Sequence, residues 1–208
     1  MRRESEASSR APLPVDASLA EIRAALTSRR AAVVVAPPGS GKTTRVPPAV
    51  ADAGRVVVLQ PRRVAARSVA RRIAEEQGWT LGREAGWHVR FERRFSNDTR
   101  VLIVTEGMLT HYLDEDPLLT GISTVILDEF HERSLHTDLG LALVAEAWRA
   151  RTDLRVIVMS ATMDPLPVQA YLDEALPSEQ MVRIRSSGIG RHMAEIHAVR
   201  DLLGSQRD

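Results

Sequence analysis

One short segment contains the residue types that bind phosphate groups. It directly follows the apolar run Ala31–Val35, and its residues are Ala36, Pro37, Pro38, Gly39, Ser40, Gly41, Lys42, Thr43 and Thr44. Glycines let the backbone turn tightly, so that successive N–H groups can reach phosphate oxygens. The lysine offers a compact positive charge for the β- and γ-phosphates, and the hydroxyl of Thr43 can bind Mg²⁺. The segment therefore predicts a phosphate-binding P-loop between a strand and a helix that begins near Lys42.

Lys42 is the only lysine of the chain, and the other 27 of its 28 lysine and arginine residues are arginines. A lysine kept at this one place in an arginine-rich chain indicates that a guanidinium group cannot replace the ammonium group there. The alternative is an accidental lysine, against which the preceding strand argues. The general pattern begins with glycine where this chain has Ala36, which indicates that a small residue suffices at the end of the strand.

A second chemical feature is the acidic pair Asp128-Glu129, which follows the apolar run 124–127. Ligands gather at the carboxyl ends of parallel strands, so the pair and the P-loop should meet in one crevice. Asp128 and Glu129 are candidate Mg²⁺ partners together with Thr43, and Glu129 suits a base that orients the water attacking a γ-phosphate. Without a P-loop, such a pair would most simply be a solvated strand end. The two features together predict ATP and Mg²⁺ as cofactors.

The elements that must position these groups alternate along the chain. Apolar residues at helical spacing begin at Leu19. Short β-branched runs then predict buried parallel strands over 32–35, 56–59, 101–105, 124–127 and 156–159. Helices are predicted over 64–76, 106–113 and 139–149. This alternation predicts an α/β fold, an open and mostly parallel sheet with helices on both faces.

Length and composition limit the domain count and the class. A chain of 208 residues can bury one full core but is too short for two large α/β domains. We expect a disordered tail over 1–17, one domain over 18–185, and a C-terminal tail or helix over 186–208. Within the last two regions, 164–172 and 191–203 have helical character and 181–184 reads as a strand.

Charge and cysteine content exclude several kinds of protein. The formal net charge is +1, so a nucleic-acid surface would have to be a local patch. The chain has no cysteine and its six histidines lack ligand spacing, which argues against disulfides and zinc. No run is apolar and long enough for a membrane helix, and residues 1–10 lack the apolar core of a signal peptide. We therefore expect a cytoplasmic protein without a membrane partner.

Several segments carry a family resemblance in a fixed order. The segment Asp128-Glu129-Phe130-His131-Glu132-Arg133 resembles the DEAH box of superfamily 2 RNA helicases, and its Phe resembles the HrpB-type branch. Further matches are the helicase motif Ia at 59–66, the GYxxRFE segment at 86–92, motif Ib at 105–109 and motif III at 160–162. The resemblance covers about residues 19–163 and implies a RecA-like P-loop NTPase domain, the first of the two such domains of that family.

The resemblance implies roles for individual residues. His131 would be catalytic and would link the nucleotide site to Ser160 and Thr162, which would couple hydrolysis to nucleic-acid grip. Arg62, Arg63 and Thr105 are similar to the residues that contact a nucleic-acid backbone, with a plain surface role as the alternative for the arginines. Arg72 stands where the family places an arginine against adenine, and a solvated helix arginine is an equal alternative. Core packing is favoured over base stacking for Trp87 and Phe91.

The chain departs from the family at its end, since no second RecA-like domain and no arginine-finger motif follow. A truncated reading frame and a true short protein both remain open. The resemblance implies a motor domain that binds and slowly hydrolyses ATP, binds single-stranded RNA through its backbone, and takes a second RecA-like domain in trans. The alternative is a nucleotide-dependent module that binds RNA or a protein partner without appreciable turnover. A P-loop kinase or a secretion ATPase is disfavoured by the matches at 59–66 and 160–162.

Overall fold

The centre of the fold is a sheet of parallel strands. The computed structural model describes residues 11–132, 134–161 and 181–185 of the chain. Its strands are β1 Ala31–Val35, β2 Arg55–Leu59, β3 Ala85–Val89, β4 Glu92–Arg94, β5 Val101–Val104, β6 Ile122–Leu127, β7 Arg155–Ser160 and β8 Met181–Arg185. Their order across the sheet is β4-β3-β5-β2-β6-β7-β1-β8. Every neighbouring pair is parallel except β3 and β4, which form an antiparallel hairpin.

Helices cover both faces of this sheet. They are α1 Leu19–Arg29, α2 Lys42–Ala49, α3 Arg63–Gln77, α4 Glu106–Glu115 and α5 Leu135–Ala150. One buried cluster joins α1, α2 and α3 to the sheet, and the other joins α4 and α5 to the opposite face. This arrangement confirms the predicted α/β class, an open and mostly parallel RecA-like sheet with helices on both faces.

The strands are apolar on both sides because both faces are covered. In β2, Val56 and Val58 belong to the first cluster, whereas Val57 and Leu59 belong to the second. This is the pattern expected of a parallel strand in the middle of a sheet. The candidate chemical residues therefore do not lie within these strands but follow their carboxyl ends.

Two elements differ from the prediction. The sequence pattern missed β3 and β4, because Gly86 and His88 interrupt the β-branched run. Gly86 is needed there, since a Cβ atom would lie 2.3 Å from the carbonyl oxygen of Arg94 in the hairpin partner. Helix α5 begins at Leu135 instead of residue 139, because Ser134 caps it by accepting a hydrogen bond from the Thr137 N–H.

The C-terminal predictions are tested only in part. Strand β8 agrees with the predicted strand over 181–184 and pairs with β1 at the edge of the sheet. The helices predicted over 164–172 and 191–203 lie outside the described residues.

The predicted N-terminal tail is wrong for the last residues of the range 1–17. Pro14–Ser18 form a 3₁₀ helix, and the side chain of Val15 is fully buried in the cluster that includes α1 and α2. The sequence pattern missed this because a single valine after two prolines shows no period. The ordered domain therefore begins before residue 18 and includes residues that contact the P-loop.

Candidate nucleotide-binding and catalytic site

The P-loop lies between β1 and α2, as predicted. The N–H of Ala36 donates to the carbonyl oxygen of Ser160 at 3.1 Å, which extends the pairing of β1 with β7. Gly39 and Gly41 have φ angles of 77° and 89°, a left-handed region that glycine adopts without strain. The Gly41 carbonyl accepts from the Arg45 N–H at 2.9 Å and starts α2. The loop therefore ends in a helix N-terminus, where backbone N–H groups and the helix dipole favour an anion.

Lys42 is buried and points toward the acidic pair. The residue is 3% exposed, and its Nζ lies 3.8 Å from Oε1 of Glu129. A buried ammonium group requires a counter-charge, and Glu129 is the acidic partner at this distance. The ammonium group thus lies where it can be shared between Glu129 and a bound phosphate.

Asp128 is the most enclosed acid of the site. It is 2% exposed and follows β6, and its backbone N–H donates to the Leu59 carbonyl of β2. The Oδ2 atom accepts from Oγ1 of Thr43 at 2.6 Å and from Nε2 of Gln60 at 2.5 Å. The Oδ1 atom accepts from the Glu129 N–H at 2.9 Å. The P-loop, the end of β2 and the end of β6 therefore meet at one carboxyl group.

The pKa of Asp128 is raised from 3.8 to about 6, mainly because the carboxyl group is buried and also because the Glu129 charge lies nearby. The hydrogen bonds from Thr43 and from the Glu129 N–H act in the opposite direction, as does the Lys42 charge. A carboxyl group with a pKa this high gains from a cation placed beside it, because the cation offsets the lost hydration of the carboxylate.

Replacing Asp128 with asparagine is expected to stabilise the nucleotide-free protein at pH 8 by up to about 3 kcal/mol. The folded state binds the proton more tightly than the unfolded state, so the carboxylate is penalised above about pH 6 and the penalty vanishes below pH 3.8. The gain in melting temperature should therefore stay nearly constant from pH 8 to about pH 6 and shrink between pH 6 and pH 4. Thermal denaturation without Mg²⁺ measures it.

The control is Asp153→Asn, because hydrogen bonds from Arg151 lower the pKa of the exposed Asp153. That variant should show no gain at pH 8. With ATP and Mg²⁺ present, the order should reverse, since Asp128→Asn removes a ligand for the cation. A gain for Asp128→Asn that is the same at pH 8 and pH 4 would contradict the burial of a charged carboxylate.

Glu129 and His131 form the outer part of the acidic motif. Glu129 has a φ of 52°, an uncommon value for a residue other than glycine. This strained backbone conformation lies within the candidate site. The Nδ1 atom of His131 lies 3.5 Å from Oε2 of Glu129 and accepts from the Ala161 N–H at 3.3 Å. One nitrogen cannot accept from Ala161 and donate to Glu129 at once, so the protonation of Nδ1 selects its partner.

The predicted coupling residues are described unequally. Ser160 is buried at the end of β7, and its carbonyl oxygen accepts from the P-loop at Ala36. Thr162 lies outside the described residues. The contact from His131 reaches the backbone of Ala161, the residue between them. The end of β7 therefore touches both the P-loop and the acidic motif.

A cleft of about 510 Å³ opens beside this cluster. Residues from the P-loop, the end of β2, α3 and the acidic motif line it, including Thr43, Thr44, Gln60, Arg62, Arg72 and Glu129. Arg72 donates to Oε1 of Glu76, and the other oxygen of Glu76 lies 3.1 Å from Nε of Arg45. The predicted adenine-contacting arginine thus borders the cleft and is held by a carboxylate one turn further along α3.

Sequence reasoning missed two residues that build the site. Gln60 is 3% exposed and donates to Asp128; it belongs to the motif Ia match at 59–66, but the sequence did not indicate its contact with the acidic pair. Glu76 holds both Arg45 and Arg72, a role hidden in sequence because charged residues at helical spacing usually face solvent. Gln60 lines the cleft itself, whereas Glu76 acts through Arg72, which lines it.

The predicted nucleic-acid residues lie at the same edge of the sheet. Arg62 and Arg63 are exposed at the end of β2, and Thr105 follows the neighbouring strand β5. Arg62 donates to Oε1 of Glu132 at 2.8 Å, which ties it to the acidic motif.

The two aromatic residues for which core packing was favoured differ in outcome. Trp87 is buried, whereas core packing was wrong for Phe91, which is 90% exposed. Phe91 occupies the turn of the β3–β4 hairpin with a φ of 69°, so its ring points away from the core.

The side chains present fit Mg²⁺ and a triphosphate. Thr43 and Asp128 offer a hydroxyl and a carboxylate oxygen 2.6 Å apart, with Glu129 adjacent, and Mg²⁺ prefers such hard oxygen ligands. The hydroxyl of Ser40 is buried without a hydrogen-bond partner within the loop, and Lys42 supplies the cation for an anionic ligand. Both observations support a phosphate chain bound along the P-loop.

A parallel sheet with a P-loop after β1 and an acidic pair after β6 defines a P-loop NTPase with a RecA-like fold. Comparison with protein families matches residues 19–170 to the DEAD/DEAH box helicase model. The chain therefore belongs to the DEAD/DEAH box helicase family, and its fold is that of the ATP-binding domain of an HrpB-like DEAH helicase.

Individual relatives agree with this family. The chain is 42% identical over 170 residues to the ATP-dependent RNA helicase HrpB of Escherichia coli strain K12, across 78% of this chain and 21% of that protein. A crystal structure of the Escherichia coli DEAH/RHA helicase HrpB superposes with a TM-score of 0.77 at 40% identity, over 85% of this chain and 22% of the other. Another, described as the E. coli DExH-box NTPase HrpB, also gives 0.77, at 39% identity over 88% and 22%. The chain thus spans about a fifth of the length of these relatives.

Proposed function

We propose that this chain is a motor domain that binds ATP·Mg²⁺ and hydrolyses it, as part of RNA-dependent helicase action. The observation that carries the proposal is the meeting of Lys42, Thr43, Asp128 and Glu129 beside one cleft. These residues supply an ammonium group, a hydroxyl and two carboxylates within a few ångströms of a P-loop. Phosphoryl transfer to water requires this combination of charge neutralisation and water positioning.

Each residue has a distinct part in the proposed reaction. Lys42 and the backbone N–H groups around Gly41 hold the β- and γ-phosphates. Thr43 and Asp128 hold Mg²⁺, which neutralises charge on those phosphates when bound. Glu129 orients the attacking water and accepts its proton. Lys42 then pairs with the phosphate, which frees Glu129 from the contact it makes in the absence of nucleotide.

The proposed link to nucleic acid runs through the ends of β2, β5 and β7. Arg62, Arg63 and Thr105 would contact phosphates of a single RNA strand, and the exposed ring of Phe91 would stack on a base. His131 contacts both Glu129 and the backbone of Ala161. It would therefore couple changes at Glu129 to Ala161 and to its neighbours Ser160 and Thr162. These roles rest on position and on the family, and the Arg63→Ala variant described below tests the backbone contact.

Turnover by the polypeptide alone should be slow. Among the described residues, the arginines that line the cleft are Arg62 and Arg72, and both are paired with glutamates. Without an arginine finger the rate falls by about 10³ to 10⁵. We propose that a second RecA-like domain, in the same chain or in trans, supplies that charge. A nucleotide-dependent binding module without turnover remains the competing function.

RNA-stimulated phosphate release by the purified polypeptide separates these two functions. The motor-domain proposal expects release that rises when single-stranded RNA is added and that requires Mg²⁺. A binding module would bind ATP and RNA but release no phosphate above the level of heat-inactivated protein. That second result would overturn the hydrolytic part of the proposal.

RNA binding is expected to be weak, insensitive to base sequence, and dependent on salt. Two arginine contacts to phosphates predict that log affinity falls with log salt concentration with a slope of about −1 to −2. Arg63→Ala should reduce the magnitude of that slope by about 0.7. The matched control is Arg29→Ala, since Arg29 ends α1 at the opposite edge of the sheet. Fluorescence anisotropy with labelled RNA measures both slopes, and equal slopes for parent and Arg63→Ala would contradict the assigned contact.

The 208-residue polypeptide by itself should not separate duplex strands at any ATP concentration. Unwinding requires two bodies whose distance changes with nucleotide state, and the described sheet is one body. A strand-displacement assay with a fluorescent duplex checks this. Duplex unwinding by the purified polypeptide without a partner protein would contradict it.

The cellular setting that we propose is the cytoplasm, where ATP and RNA are both available. In the described part of the chain, no helix has the length and apolarity required to cross a membrane. The proposed partners are single-stranded RNA and a second RecA-like domain.

A further inference from the structure

We propose that residues 13–16, here called the brace, hold the P-loop in its phosphate-binding conformation before a nucleotide arrives. The proposal rests on the proposed nucleotide site and adds to it a positioning element outside every motif named above. The brace lies upstream of the matched family region, which begins at residue 19. It was expected to be a disordered tail.

The brace makes a backbone contact with the loop. The N–H of Val15 donates to the carbonyl oxygen of Ser40 at 3.1 Å. The Val15 side chain is fully buried in the cluster that also contains Ile22 of α1 and Val46 of α2. Because Val15 cannot move without opening the core, the backbone N–H that contacts Ser40 is held in place. The Ser40 carbonyl is therefore held from the side of α1.

The brace also covers the glycine that starts α2. A Cβ atom added to Gly41 would lie 2.6 Å from Cδ1 of Leu13 and 3.0 Å from its Cβ, so the leucine side chain lies directly against the glycine. Asp16 fixes Leu13 in turn: its Oδ2 accepts from the Leu13 N–H at 2.8 Å, and its own N–H donates to the Leu13 carbonyl at 2.9 Å. The leucine is thus locked over the loop by a reciprocal pair of hydrogen bonds.

These contacts matter because the P-loop contains two glycines, whose ordering is entropically costly. Gly39 and Gly41 lose more backbone freedom on ordering than other residues, and both must hold a positive φ for the loop to keep its shape. A loop that is ordered in advance does not spend binding energy on ordering when phosphate arrives. The brace restrains two consecutive loop residues, Ser40 and Gly41, and so lowers that cost.

The first test is Leu13→Ala, which removes the cover from Gly41 and leaves the buried Val15 in place. Affinity for ATP and ADP should fall about tenfold, because misplacing phosphate-binding N–H groups weakens every phosphate contact. Affinity for adenosine should stay unchanged, since adenosine has no phosphate. Asp16→Ala should give a smaller loss of the same kind, and Asp16→Asn should restore it because an amide oxygen also accepts the Leu13 N–H.

Hydrogen exchange without nucleotide provides a readout that does not depend on binding. In Leu13→Ala, the amides of residues 39–43 should exchange faster, whereas those of β2 and β5 should exchange as in the parent. The matched control is Leu19→Ala, which removes a half-buried leucine of the adjacent helix α1. It should lower the melting temperature without selective exchange at residues 39–43.

The outcomes distinguish failure of the proposed nucleotide site from failure of the brace. A parent polypeptide that binds neither ATP nor ADP would overturn the nucleotide site and the brace with it. A parent that binds, together with Leu13→Ala that keeps parental affinity and parental exchange at residues 39–43, would overturn the brace alone. An equal loss for ADP and adenosine would also overturn it, because the effect would then be general unfolding.

Discussion

Replacing Lys42 with alanine is expected to lower the affinity for ATP by about a hundredfold or more, since loss of a buried charged partner costs at least about 2 to 5 kcal/mol. Lys42 is the only buried cation within the described part of the P-loop, and Gly39 and Gly41 would still hold the loop open. The variant also leaves Asp128 and Glu129 without the ammonium group beside them. Isothermal titration with ATP, Mg²⁺ and each protein measures the loss.

Lys42→Arg is the informative companion variant. It keeps the positive charge but replaces a compact ammonium group with a planar guanidinium, and the 3% exposure of Lys42 leaves little room for a larger head group. Arginine should therefore fail to restore affinity. Circular dichroism should show both variants folded without nucleotide. ATP affinity that is unchanged in Lys42→Ala would contradict the P-loop assignment.

Replacing Glu129 with glutamine is expected to keep ATP bound and to reduce turnover by about 10² to 10⁴, the usual contribution of general acid–base catalysis. The amide has nearly the same shape as the carboxylate but cannot take a proton from water. Its contact with Lys42 should weaken, which does not oppose phosphate binding. A single-turnover measurement with radiolabelled ATP detects the slow residual reaction.

The control for this variant is Glu146→Gln, the same chemical change on the exposed side of α5. It should hydrolyse ATP like the parent. Binding and turnover must be measured in parallel, since the account separates them: Lys42 variants lose both, whereas Glu129→Gln loses turnover alone. Glu129→Gln that hydrolyses ATP at the parental rate would show that another residue activates the water.

The parts of the fold that could be predicted are those in which one local signal dominates. The core strands coincide with runs of β-branched and other apolar residues, which favour burial in a sheet, as Val56 to Leu59 illustrate in β2. The P-loop and the acidic pair were predicted to meet because parallel strands share one carboxyl edge, and Thr43 and Asp128 lie 2.6 Å apart. Topology thus converted two distant segments into one site.

The parts that escaped prediction depend on contacts between distant segments. Val15 is a single apolar residue whose burial is decided by Ile22 and Val46. Gln60 matters only because Asp128 lies opposite it across neighbouring strands. Phe91 resembles a core residue by type, but the tight hairpin between β3 and β4 leaves its ring in solvent. In each case, tertiary position overrides what residue type alone indicates.

The single lysine allows a direct test of the central claim that the γ-phosphate of ATP lies beside Lys42. An ATP derivative with an acyl group on its γ-phosphate transfers that group to an amine held next to it. Mass spectrometry would then read an unambiguous label, because the chain offers one other primary amine, at its N-terminus. The account predicts acylation of Lys42 that excess ATP suppresses and that Lys42→Arg abolishes. Labelling confined to the N-terminal amine, or labelling of Lys42 that excess ATP leaves unchanged, would contradict it.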